Sequence, residues 1–139
     1  MADTTDTNWK QTAESEVRAL VVEHVEYFSR GQCREIPKQT FQAPVWVGTD
    51  PVRMLATASD VDAFFERVIG AIREDGYHHS DVLSVDVRLL NRQSAIADLH
   101  YRRYREDGTV LGNPDSRAAY LVLRTAYGWR ITALLPVRR

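Results

Sequence analysis

The sequence has little of several features that would point to a function. It has one cysteine, Cys33, which cannot form a disulfide within the chain, so a reducing cytoplasm is the expected compartment. The formal net charge is −1, which gives no overall field that favours nucleic acid or a membrane surface. No apolar run reaches transmembrane length, and the polar start MADTTDTNWK lacks the apolar core of a signal peptide. We therefore expect neither a nucleic-acid partner nor a membrane partner.

Recognisable cofactor and metal motifs are also missing. There is no GxGxxG, P-loop or CxxC motif, so any chemistry is expected to be independent of a cofactor. A metal site needs three or four convergent ligands. His78 and His79 are adjacent in a predicted strand and would face opposite ways, although His79 and Asp81 would share a face. We predict no metal site.

Lysine is scarce as well. Only Lys10 and Lys38 are lysines among the 18 basic residues. Arginine forks suit carboxylates and phosphates, but codon bias in a GC-rich bacterial genome explains the same composition. Six arginines fall on neighbouring predicted strands, where acidic residues can pair with several of them, so we predict a solvated, cross-strand paired face. These arginines are Arg102, Arg103, Arg105, Arg117, Arg124 and Arg130.

Two helices are predicted from apolar residues at helical spacing. A chain of 139 residues suits one domain, here residues 13–139 after a disordered tail at residues 1–12. The first helix covers residues 13–30, with Thr12 as its cap and Gly31 as its stop. The second covers residues 60–75, with Ser59 as its cap and Asp62 completing a capping box.

The remaining segments predict strands. Short strands are expected at residues 41–47 and 52–56, with Pro44 marking an edge or a bulge in the first. Period-2 patterns then predict long strands at 82–90, 94–105, 117–124 and 129–137, and Leu83 shares the apolar face of the first of these. The fold class is therefore α+β: a cone-shaped, curved antiparallel β-sheet wrapped around a long N-terminal helix. Such a cone leaves a pocket for a small molecule at its open end.

Several segments carry a resemblance to a known family. They are FSRG at the end of the first helix, the strand FQAPVWVG, the helix SDVDAFFERVIGAI and the terminal RAAYLVLRTAYGWRITAL. Over residues 13–136 the chain resembles the nuclear transport factor 2-like superfamily, and in particular bacterial SnoaL-like proteins of unassigned function. The resemblance implies a homodimer formed through the sheet. It leaves the reaction open, because the superfamily includes isomerases, dehydratases, hydrolases, cyclases and domains without enzymatic activity.

Ketosteroid isomerase, a member of that superfamily, allows three positions to be compared. Its catalytic tyrosine, seven residues before the glycine that ends the first helix, corresponds to His24. Its general-base aspartate lies near Asp50, and its second acid lies near Tyr120. None of the three residue types is reproduced in place, so the match to steroid isomerisation is poor.

Four residues are candidates for catalysis: His24, Asp98, His100 and Tyr120. His24 interrupts the apolar stripe of the first helix, where a neutral imidazole could act as an acid or a base. Asp98 and His100 project from one face of the 94–105 strand, about 7 Å apart. The opposite face of that strand is more hydrophobic, so Asp98 and His100 belong either to the pocket wall or to an outer, dimer-forming face.

Aromatic residues and one further histidine are candidates for ligand binding. They are Tyr27, Trp46, Phe64, His79 and Tyr101. An aromatic cavity would suit a flat hydrophobic ligand, although ordinary core packing explains the same residues. Two functional hypotheses follow: a cofactor-independent isomerase, cyclase, dehydratase or hydrolase that uses acid-base catalysis on a hydrophobic small molecule, or a non-catalytic ligand-binding or interaction domain of the same fold.

Overall fold

The chain folds into a mixed six-stranded sheet that packs against two helices. A computed structural model describes residues 3–137. The helices are α1 (Asp3–Arg30) and α2 (Ala58–Glu74), and a π-helical turn covers Ile36–Thr40. The strands are β1 (Phe41–Val47), β2 (Arg53–Leu55), β3 (Tyr77–Asn91), β4 (Ser94–Arg105), β5 (Val110–Thr125) and β6 (Gly128–Val137). The order in the sheet is β2-β1-β6-β5-β4-β3, which confirms the predicted α+β class.

Helix α1 begins earlier than the sequence predicted. Residues 3–12 continue the helix, where a disordered tail was expected, and residues 1 and 2 lie outside the described residues. Trp9 packs against the core from this first part of α1, and the guanidinium carbon of Arg92 lies 4.8 Å from its ring centroid. Helix α1 ends as predicted at Gly31, whose φ of 70° suits a residue without a side chain.

Helix α2 begins at a different cap from the one predicted. Thr57, and not Ser59, is the cap: its side chain accepts a hydrogen bond from the Asp60 amide at 3.1 Å. The Asp60 carboxylate accepts a hydrogen bond from the Thr57 amide at 3.2 Å, which completes the capping box. Thr57 and Asp60 have the same spacing as Ser59 and Asp62, so the pattern was recognised two residues too late.

The sheet is mixed because β1 runs parallel to β6, whereas its other neighbouring pairs are antiparallel. The predicted sheet was antiparallel throughout. The β1–β6 pairing is irregular between Phe41 and Trp46, which places Pro44 in the predicted bulge. Helices α1 and α2 pack on the concave face of the sheet, and their contact residues form one core with it.

Bulges change which residues of β3 and β6 face inward. The β3–β4 register shifts between Val82 and Ser84, so Leu83 is 41% exposed and does not share the inner face with Val85. A second shift lies between Tyr77 and His79. The His78 and His79 rings consequently approach each other, with 3.0 Å between their Nδ1 atoms, although adjacent strand residues were predicted to face apart.

A third bulge lies in β6. Val122 pairs with Ile131, but Leu121 pairs with Ala133, so Thr132 is an extra residue in the strand. Because the alternation inverts there, Leu134 and Pro136 line the inside of the cone.

In the described residues no helix is long and apolar enough to cross a membrane.

Candidate functional site

A cavity of about 290 Å³ lies between the helices and the concave face of the sheet. Its walls are mainly apolar and aromatic, and no aspartate or glutamate of the described chain lines it. Polar groups reach it from α1, β3, β4, β5 and the segment between β1 and β2. The lining residues are His24, Val25, Phe28, Val47, Thr49, Phe64, Phe65, Val68, Ser80, Leu99, Tyr101, Arg103, Ala118, Tyr120, Leu134 and Pro136.

His24 reaches the cavity because it continues the buried stripe of α1, four residues after Leu20 and four before Phe28. Its side chain is almost fully buried, and its ring centroid lies 4.8 Å from that of Phe41 and 5.3 Å from that of Phe65. Its Nδ1 atom is buried and has no hydrogen-bond partner among the described residues. Burial lowers the pKa of His24 to about 3, so the imidazole is neutral at physiological pH.

Tyr120 reaches the same cavity from β5, where Ala118, Tyr120 and Val122 alternate on the inner face and are all buried. Its ring centroid lies 5.7 Å from that of His24. Burial raises the pKa of the Tyr120 phenol, so its hydroxyl keeps its proton. None of the described residues forms a hydrogen bond with that hydroxyl. The sequence named both residues as candidates, and the structure brings them together.

Asp98 and His100 lie on the other side of the sheet. The inner face of β4 contains the buried residues Ala95, Ala97 and Leu99, so Asp98 and His100 point outward. Asp98 is exposed, and His100 Nε2 lies 3.0 Å from Asp115 Oδ1, also on the outside. The sequence left open whether Asp98 and His100 lie on the pocket wall or on the outer face, and the structure places both on the outer face.

The ligand-binding candidates also divide between the two faces. Phe64 and Tyr101 line the cavity. Trp46 is 53% exposed on the outer face, and Tyr27 lies beside Cys33 in a separate surface depression. His79 stacks on Tyr104, with 5.2 Å between ring centroids, and its Nε2 lies 3.6 Å from Asp81, so these two residues share a face as predicted.

The position nearest to the general base of ketosteroid isomerase does not reach the cavity. Asp50 is exposed, and the neighbouring Thr49 lines the wall instead. The described cavity therefore has no carboxylate to remove a proton or to orient the imidazole of His24.

Arg103 is a charged lining residue that the sequence did not lead us to expect in the cavity. It was grouped with solvated arginines, but it continues the inner face of β4 after Leu99 and Tyr101. Its guanidinium carbon lies 5.6 Å from the Phe28 ring centroid and 5.5 Å from that of Tyr101. The alternation of β4 could have placed Arg103 inside. Every second residue before it is apolar or aromatic, from Ala95 to Tyr101, and Arg103 is the next residue on that face.

Potential metal ligands meet away from the cavity. Atoms of Cys33, Asp62 and Glu66 lie within 4.8 Å of one another. Burial, with the nearby Glu66 and Asp62 carboxylates, raises the pKa of the Cys33 thiol.

Solved structures share this architecture at low sequence identity. An NTF2-like protein with a cystatin-like fold from Novosphingobium aromaticivorans aligns with a TM-score of 0.78 at 15% identity, over 98% of this chain and 88% of that one. A domain of unknown function from Nostoc punctiforme aligns with a TM-score of 0.72 at 23% identity, over 92% and 78%. An NTF2-like superfamily protein from Salmonella enterica aligns with a TM-score of 0.68 at 14% identity, over 92% of each chain.

These alignments define the class of the fold, which is the NTF2-like, cystatin-like cone. The family described as "NTF2-like protein (DUF6841)" matches residues 12–139, and the chain belongs to it. The predicted superfamily is thereby confirmed, and the narrower SnoaL-like branch stays a prediction. No curated protein has a matching sequence.

Proposed function

We propose that the protein binds a small, mainly hydrophobic molecule inside the cone. The observation that carries this proposal is the buried Nδ1 of His24, which has no partner among the described residues and belongs to a residue that lines an apolar cavity. A buried polar atom without a hydrogen bond costs about 1–3 kcal/mol. A ligand with one polar group would satisfy that atom and fill the space beside it.

The two central polar residues have complementary roles in this proposal. The neutral imidazole of His24 has one nitrogen that donates and one that accepts a hydrogen bond. The protonated phenol of Tyr120 can donate to a carbonyl or hydroxyl oxygen of the ligand. Phe28, Phe64 and Phe65 offer aromatic surface to a flat apolar body.

Acid-base catalysis without a cofactor is a second candidate, supported by the presence of an imidazole and a phenol in one cavity. Two observations make it the weaker proposal. A pKa of about 3 makes His24 a poor base in the empty cavity, and protonating it at pH 7 costs roughly 5 kcal/mol. No described carboxylate orients its ring. A non-catalytic ligand-binding domain is therefore the function we favour.

A thermal-shift screen of flat terpenoids, steroids and polyketide-like aromatics, followed by calorimetry, tests binding. We expect His24→Leu to weaken the best ligand about 5- to 13-fold, because a buried hydrogen bond contributes about 1–1.5 kcal/mol. His100→Leu is the matched control, since His100 lies on the outer face, and it should bind as the wild type does. Equal binding by wild type and His24→Leu would remove His24 from the site.

We also propose that the outer face of the sheet forms a homodimer. Trp46 pairs directly with Met54 of β2 and with Ala133 of β6, so these three side chains share that face. Trp46, Met54 and Leu135 are each at least 40% exposed and form an apolar patch. Asp98, Arg102 and Asp115 lie on the same face, so acidic and basic groups of two identical surfaces can pair about a twofold axis.

A further inference from the structure

Arg103 differs in charge from every other residue in the cavity wall. It is the one permanently charged residue among the described lining residues, and no carboxylate accompanies it there. It forms no ion pair within the described chain. The apolar cavity therefore contains the positive charge of Arg103, and no carboxylate of the described residues pairs with it.

Arg103 also has a donor atom without a hydrogen bond. Its Nε is buried and has no acceptor among the described residues. Neighbouring arginines of the same strand are satisfied: Arg102 Nε donates to the Pro114 carbonyl at 2.8 Å, and Arg105 Nη1 donates to the Val110 carbonyl at 2.9 Å. The guanidinium of Arg103 contacts the rings of Phe28 and Tyr101 by cation–π interactions, and these contacts supply no acceptor for its Nε.

We infer that the cavity binds a monocarboxylate whose carboxylate group pairs with Arg103. This inference rests on the proposed function and names its ligand class. A guanidinium presents parallel donors that match the two oxygens of a carboxylate, and such a pair is stronger than a neutral hydrogen bond. The apolar body of the ligand then lies against the aromatic wall of the cavity.

Charge and volume limit the ligand further. One guanidinium balances one carboxylate, whereas a phosphate group with about −1.5 to −2 charge would leave an excess, because no second cation lines the described cavity. The volume of about 290 Å³ is close to twice the roughly 150 Å³ that accommodates benzene in an engineered apolar cavity. The expected ligand therefore has one or two rings and a single carboxylate.

Matched pairs of acids and amides test this inference by calorimetry. The probes are 2-naphthoate with 2-naphthamide and 3-phenylpropionate with 3-phenylpropanamide, which differ mainly in charge within each pair. We expect the acid of a pair to bind about 10- to 100-fold more tightly than its amide, as for hydrogen bonds to charged groups. Arg103→Met keeps the length of the side chain without its charge and should abolish that preference. Arg102→Met, on the outer face, is the matched control and should retain it.

Each outcome is decisive. Amide binding by Arg103→Met at wild-type strength shows that the variant is folded and its cavity intact. If wild type binds acid and amide equally, or if Arg103→Met keeps the acid preference, the carboxylate inference is wrong and binding of hydrophobic molecules stands. If wild type binds no member of either pair and no compound of the neutral screen, the proposed function and this inference both fail.

Discussion

The rings of His24 and Tyr120 meet edge to face, with 5.7 Å between centroids and 78° between planes, and no hydrogen bond joins them. The two residues come from α1 and β5, so they meet only when the sheet closes over the helix. Each is nearly inaccessible to solvent, and each is held in its neutral form. Their proximity gives the cavity both a donor and an acceptor, and neither of these two residues carries a charge.

The first prediction concerns pH and stability. His24 has a pKa of about 3 in the folded protein and an ordinary pKa near 6.5 when unfolded. Below pH 6.5 the unfolded chain therefore binds a proton that the folded chain does not, and stability falls as the pH drops towards 3. Between pH 7 and pH 4 this single residue should cost about 3 kcal/mol of unfolding free energy.

Urea denaturation of wild type and His24→Leu at the two pH values measures that contribution. Between pH 7 and pH 4, His24→Leu should lose about 3 kcal/mol less unfolding free energy than the wild type loses. His100→Leu serves as the control, because His100 pairs with an exposed carboxylate on the outer face. Equal losses in wild type and His24→Leu would show that His24 is protonated as easily in the folded chain as in the unfolded one.

The second prediction distinguishes the two possible caps of α2. Thr57→Ala removes the acceptor for the Asp60 amide and should lower the unfolding free energy by about 1 kcal/mol. Ser59→Ala, at the position that the sequence favoured, should change it by less than about 0.5 kcal/mol, because Ser59 is exposed within the first turn. Chemical denaturation of both variants measures the difference, and a larger loss for Ser59→Ala would contradict the observed cap.

The third prediction concerns the two faces of β4. Asp98→Asn should leave the affinity for cavity ligands within about twofold of wild type, because Asp98 is exposed on the outer face. Leu99→Ala, at the adjacent inner position, should weaken the same ligands and cost about 2–5 kcal/mol of stability. Calorimetry with one ligand on both variants tests this, and a tenfold loss in Asp98→Asn would return Asp98 to the list of site residues.

The fourth prediction tests the homodimer. Trp46→Asp places a charge in the apolar patch and should convert the dimer into a monomer, as measured by light scattering on a gel-filtration column. Leu90→Asp is the control: Leu90 is 51% exposed at the opposite edge of the sheet, in β3. A wild-type protein that is monomeric at high micromolar concentration would remove the proposal.

The sequence predicted those parts of the fold in which local pattern and tertiary packing agree. The buried stripe from Val17 to Phe28 and the strand bounds 94–105 match the structure, because the helical spacing of the first and the alternation of the second continue along the whole element. The predicted face of Leu83 was wrong because a bulge inserts a residue into the alternation of β3. The pairing with the neighbouring strand, and not the local sequence, determines where that bulge occurs.

The candidate site was predicted only where one strong signal existed. A histidine inside an apolar stripe pointed to His24, and the structure places it in the cavity. Arg103 was missed because it was grouped with five other arginines on a solvated face of the sheet, although its own position in β4 places it on the cavity side. The SnoaL-like branch and the catalytic roles remain predictions, since likeness at 14–23% identity establishes the fold alone.

The extra residue at Thr132 has a consequence for how this chain can vary. Beyond it, Leu134 and Pro136 line the cavity while Ala133 and Leu135 face outward, so one inserted position sets the orientation of both surfaces. Removing that residue would exchange the two sets at once, and would alter the cavity and the proposed dimer face together. Point substitutions in β6 can tune either property separately, but a change in its length cannot.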